Sequence, residues 1–103
     1  MILVRAEFQC QSGRTQEVVD MFKAQAEQGR YEAIKRTRIL TDLSGRFDTL
    51  VLENEVESID AYFAMLEAMY TSPQFQEAQA ATARDNLIKS GKRTFYTIEA
   101  TYE

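Results

Sequence analysis

Few residues in this sequence could do chemistry: tyrosines, arginines, two asparagines (Asn54 and Asn86), one cysteine and a short run of glutamates, with no histidine and no tryptophan anywhere. Without histidine, neither a Ser-His-Asp nor a Cys-His nucleophile can be built. A nucleophilic lysine stays formally open, but no spacing supports one. Zinc sites draw on Cys and His, and a lone Cys10 cannot supply one. Glu53, Glu55 and Glu57 alternate near a strand end and could converge on Mg²⁺ or Ca²⁺ only where the chain stays extended. Without a cation-binding loop pattern they read as a solvated acidic edge, so no metal is expected. No glycine-rich phosphate cradle of the GxGxxG or GxxxxGK[ST] kind occurs.

The groups left for a ligand site are polar tips on apolar bodies. Tyr62, Tyr70 and Tyr96 could aim hydroxyls into a cavity, although a tyrosine with a satisfied hydroxyl is ordinary core. Arg36 and Arg38 share strand parity and could clamp a carboxylate; ion pairing on the surface is the simpler reading. Cys10 reads as a small buried hydrophobe. Met21, Met65 and Met69 read as packing.

These residues need elements to hold them. Ile2, Val4, Ala6, Phe8 and Cys10 alternate with polar neighbours, which predicts a half-buried strand over 2–11 ended by Ser12-Gly13. Thr15 is the expected N-cap of a helix carrying Val18, Val19, Phe22 and Ala26 on one face, with Gly29 as its stop. Strands over 36–41 and 49–55 flank the turn Leu43-Ser44-Gly45-Arg46, predicting a hairpin. Ser58 caps a second helix with an apolar stripe of Ile59, Tyr62, Phe63, Leu66, Met69 and Tyr70. Ser72-Pro73 interrupts it and opens a further helical segment, expected to run to about Lys89 and to end at Ser90-Gly91. The last strand is expected over 93–102, with Tyr96 and Ile98 on the helical side and Phe95 on the other.

The order β-α-β-β-α-β is that of the ferredoxin-like split βαβ fold, an α+β architecture. Right-handed crossovers place the helices on one face of a four-stranded antiparallel sheet. The other face then mixes Leu3, Arg5, Glu7 and Glu53. A domain this small gains from covering such a face with a second copy, so a homodimer through the sheet is expected. The 103 residues make one domain, 1–103.

Net charge is −4 with scattered lysines and arginines, which gives no footprint for nucleic acid. No apolar run approaches the ~20 residues that span a bilayer. No charged leader precedes the first strand, and the single cysteine suits a reducing compartment, so a cytoplasmic location is expected.

Three stretches resemble a known group: 51–59 (Val51-Leu52-Glu53-Asn54-Glu55-Val56-Glu57-Ser58-Ile59), 70–75 (Tyr70-Thr71-Ser72-Pro73-Gln74-Phe75) and 90–99, which looks like the last strand of NIPSNAP-like proteins. With the element order, they make the chain similar to the dimeric α+β barrel superfamily, which includes NIPSNAP-like proteins and antibiotic-biosynthesis monooxygenases. The resemblance implies two sheets closing into a barrel and a pocket between sheet and helices in each subunit. It implies no cofactor. Relatives that depend on histidine transfer nothing here; where cofactor-free monooxygenases use Trp, His or Asn, this chain offers only Asn54 or Asn86.

Two functions stay open. One is a dimer that binds a small, largely apolar molecule, with monooxygenase-like activity as its enzymatic form and Asn54 or Tyr96 polarising a substrate carbonyl. The other is a non-catalytic ligand-sensing or assembly domain. The residues assigned to ligand contact are Asn54, Tyr62, Tyr96 and Arg38.

Overall fold

A computed structural model describes residues 1–28 and 31–103. The elements run β1 (Ile2–Cys10), α1 (Thr15–Gln28), β2 (Ile34–Thr41), β3 (Thr49–Val56), α2 (Ile59–Tyr70), α3 (Pro73–Asp85) and β4 (Ile88–Thr97). The strands form one antiparallel sheet in the order β2-β3-β1-β4. This is the expected α+β ferredoxin-like arrangement, in which each helical connection passes over a neighbouring strand.

Strand pairing fixes which side chains share a face. Val4 lies opposite Asn54 on β3 and Phe95 on β4, and Ala6 lies opposite Leu52 and Arg93. Paired residues point the same way, so these six belong to one face. The helices cover that face. Val4 and Val56 pack with Tyr62, Met65 and Leu66 of α2. Cys10 and Leu50 pack with Val18 and Val19 of α1 and with Leu87. Between these two clusters the inward residue of β1 is Ala6, which is too short to fill the gap.

Side-chain caps explain the helix starts. Ser58 Oγ accepts the Ala61 N–H and Ser72 Oγ accepts the Phe75 N–H, both at 3.1 Å. Pro73 follows at the first helical position, where its missing N–H costs nothing. Thr15 departs from expectation. It is the first residue of α1, and its hydroxyl donates to Asp48 Oδ1 at 2.8 Å rather than capping. Asp48 also accepts the Gly13 N–H at 3.2 Å, tying the hairpin end to the β1–α1 turn. The expected stop at Gly29 lies outside the described residues. In the hairpin loop Gly45 takes φ 94, as its place in the turn requires.

The last third needs two corrections. Helix α3 ends at Asp85, because Asn86 turns left-handed (φ 53, ψ 46) and donates its N–H back to Ala83 and Thr82. Ser90-Gly91 therefore lies inside β4 instead of before it. Gly91 lies there close to the Phe8 ring: a Cβ would stand 3.3 Å from it, and the ring would have to give by a few tenths of an ångström. Strand β4 begins five residues earlier than 93, and its faces are reversed. Phe95 points to the helices and meets the Tyr62 ring edge-on at 5.8 Å. Tyr96 falls on the outer face and is 49% exposed.

That outer face is organised around Glu53. Arg38 on β2 and Arg5 on β1 flank it in one cross-strand row. Both guanidiniums reach its carboxylate, Arg5 Nη1 at 3.2 Å. The two stems and heads leave Glu53 only 6% exposed. Glu55 pairs with Arg36 and Glu57 with Lys35. The three glutamates thus form a ladder of ion pairs.

Two stability measurements follow. Glu53→Ala leaves the Arg38 guanidinium without its counter-charge and Arg5 with Glu7 alone; we expect a loss of about 2 kcal/mol in urea unfolding. Arg38→Ala, which leaves Arg5 in place, should cost about half of that. Ser72→Ala should cost about 1 kcal/mol by removing the α3 cap.

Candidate functional site

The gap over Ala6 is part of a cleft of about 1050 Å³ between the inner sheet face and the helices. Its sheet floor includes Val4, Ala6, Leu52 and Asn54; α1, α2 and α3 supply its walls. The walls are mostly aliphatic and aromatic. The Phe8 ring of β1 leans on Phe22 of α1 at 5.3 Å. At the far end Tyr70 stacks against Phe75 at 5.2 Å, linking α2 to α3. No residue of α3 is buried. That helix meets α1 through Thr82, whose hydroxyl lies 3.0 Å from Met21 Sδ. An apolar pocket of this size with few polar groups is the usual form of a small-molecule site.

Asn54 is one such polar group. It stands on the inner face of β3, and its Oδ1 accepts the Thr37 hydroxyl proton at 2.8 Å. That bond from β2 fixes the amide plane and leaves the NH₂ donors for a ligand oxygen. Tyr62 is another. Its ring is 4% exposed and wedged against Phe63 and Phe95, each at 5.8 Å, while it also lines the cleft. The Arg93 guanidinium lies over its face, 5.7 Å from the ring centre. Burial pushes the Tyr62 phenol above its ordinary range; the Arg93 charge opposes this and Tyr70 adds to it. Tyr62 is neutral near pH 7.

Of the expected ligand residues, the structure brings Asn54 and Tyr62 together at the cleft and separates the other two. Tyr96 is on the outer face because β4 has the opposite parity from that expected. Arg38 is on the outer face as well, bound to Glu53. Asn86, the other asparagine, is spent as the helix cap but also borders the cleft. Arg93 is a cleft residue that sequence reasoning passed over. Its signal was the two-residue spacing to Phe95, legible only once β4 has its proper parity. Cys10 is fully buried, and burial raises its thiol above the ordinary range, with the neighbouring Thr15 hydroxyl opposing the shift. It is packing, as its sequence position suggests.

The Tyr62 phenol has a consequence for pH. The folded chain holds the proton to higher pH than the unfolded chain does. Stability from this group is therefore present below the ordinary phenol range and lost as pH rises through the raised folded value. In urea unfolding from pH 9 upward, Tyr62→Phe should fall less steeply than the wild type.

No family model matches the sequence, and no curated protein does. Solved structures do match in shape. A NIPSNAP domain protein from Burkholderia xenovorans superimposes with a TM-score of 0.83 at 15% identity, over 100% of this chain and 99% of that one. An antibiotic biosynthesis monooxygenase-like protein from Deinococcus radiodurans gives 0.72 at 13% identity, over 100% and 97%. SnoaB, a cofactor-independent oxygenase from Streptomyces nogalater, solved as an asparagine-to-alanine variant, gives 0.71 at 19% identity, over 97% and 94%. At these identities the likeness is one of fold. The chain has the α+β ferredoxin-like fold shared by NIPSNAP-domain and antibiotic biosynthesis monooxygenase-like proteins.

Proposed function

We propose that this protein binds a small, largely apolar, oxygen-bearing molecule in the cleft between sheet and helices, as a cytoplasmic homodimer. The observation that carries the reading is the union of apolar walls with the Asn54 amide, whose plane Thr37 already sets. Such an amide stabilises a carbonyl or phenolate oxygen without reorganising. In the enzymatic form, the bound phenol gives its proton to solvent, a ring carbon of the stabilised phenolate takes up dioxygen as a hydroperoxide, and loss of water from that hydroperoxide leaves a quinone, so one oxygen atom enters the product and the other departs as water. The cofactor-independent oxygenase among the structural neighbours supports this form over pure sensing. Tyr96 has no part in it, since it faces away from the cleft.

The homodimer rests on the outer face. Around the Glu53 network stand Leu40 and Tyr96, 39% and 49% exposed, in a sheet that no helix covers. A second sheet packed there would bury these side chains and shield the ion pairs from salt.

Three measurements test the reading. N-phenyl-1-naphthylamine, a neutral aromatic probe, should brighten on binding, and Ala78→Phe, which fills the cleft from α3, should abolish that signal. Oxygen uptake with phenolic or polyketide substrates should fall at least about tenfold in Asn54→Ala. Unchanged turnover in that variant would remove Asn54 from the chemistry; uptake absent in the wild type, with probe binding intact, would leave a binding protein. Sedimentation equilibrium should give twice the chain mass, reduced toward the monomer by Leu40→Glu.

A further inference from the structure

The cleft wall is one-sided in charge. Among the described residues its ionic lining is Lys35, Arg36 (whose side chain turns to Glu55 on the outer face) and Arg93, with no aspartate or glutamate beside them, although the chain as a whole carries a net charge of −4. Two of these cations are already neutralised. Glu57 holds Lys35 at 3.3 Å and Glu55 holds Arg36 at 3.6 Å. Arg93 makes no salt bridge among the described residues. Among the described residues its guanidinium rests against the face of the Tyr62 ring. A guanidinium at the rim of an apolar cleft, free of carboxylates and fixed over an aromatic ring, is a seat for an anion.

The sheet register sets the distance from that seat to Asn54. Arg93 sits opposite Ala6 on β1, and Asn54 sits opposite Val4, on the strand flanking β1 from the other side. Two strand spacings and one step along the sheet separate their backbones by roughly 12 Å. Side chains reaching inward from both ends leave room for one or two fused rings over Val4 and Ala6.

Resting on the cleft reading above, we infer that Arg93 makes this site selective for anionic aromatics. The ligand is a flat ring system with a carboxylate or sulfonate on Arg93 at one end and a carbonyl or phenol oxygen on Asn54 at the other. Neutral analogues of the same shape bind, but more weakly.

A matched pair of probes tests this: 8-anilinonaphthalene-1-sulfonate and N-phenyl-1-naphthylamine, which share their rings and differ in the sulfonate. The wild type should favour the sulfonate by about fivefold, the strength of a partly solvated ion pair. Arg93→Gln should erase that preference while the neutral probe still binds; Arg93→Lys should keep most of it. Ala78→Phe should release both probes, which places them in the cleft. An unchanged preference in Arg93→Gln, with the neutral probe still bound and still displaced by Ala78→Phe, overturns the role of Arg93 and spares the cleft. Neutral-probe binding that is absent, or indifferent to Ala78→Phe, overturns the cleft itself and this inference with it.

Discussion

Strand β1 hydrogen-bonds on both sides, to β3 and β4, and its alternation decides which face every neighbouring side chain joins. A slip of one residue in β1 would turn its own side chains over, bringing Arg5 beneath the helices and away from Glu53. The apolar series Ile2, Val4, Ala6, Phe8 and Cys10 makes such a slip costly, because four of its members would lose apolar burial along with the helix residues that meet them. The cleft, its amide and its cation all inherit their positions from this constraint. So does the outer network, in which Glu53 lies between Arg5 and Arg38 only in the observed register.

The cleft exists because of what β1 lacks in the middle. Val4 belongs to the cluster under α2 and Cys10 to the cluster under α1. Ala6, between them, belongs to neither cluster. A longer side chain there would join the clusters into one core and close the space. Packing and open space are thus divided along a single strand: its ends fasten the helices, and its centre is small.

The first three strands, the hairpin and both serine caps were legible in the sequence, because strict alternation, helical spacing and short polar caps each act locally. Strand β4 was not. Phe95 and Tyr96 are adjacent aromatics, so alternation alone does not say which turns inward; the contact of Phe95 with Val4 and Tyr62 decides it, and that contact is tertiary. Tyrosine tolerates the wet face because its hydroxyl can stay hydrated. The end of α3 was missed for a related reason. Its alanine-rich run continues helical composition past Asp85, and the stop depends on Asn86 adopting a left-handed turn. Gly91 looked like a helix terminator but serves as clearance for the Phe8 ring. Of the residues expected to touch a ligand, Asn54 and Tyr62 reach the cleft because helix α2 and strand β3 have the expected faces. Tyr96 was misplaced by parity, and Arg93 was overlooked with it.

Helix α3 holds its place without contributing a buried residue. It is secured at its start by the Ser72 cap and the Tyr70–Phe75 contact, and midway by Thr82 against Met21. Detaching it would expose little that is not already wet, whereas detaching α1 or α2 would break a core cluster. In energetic terms the molecule has a firm three-sided trough and a loosely latched cover, so the wall of the cleft that α3 supplies is the part of the fold with the least to lose.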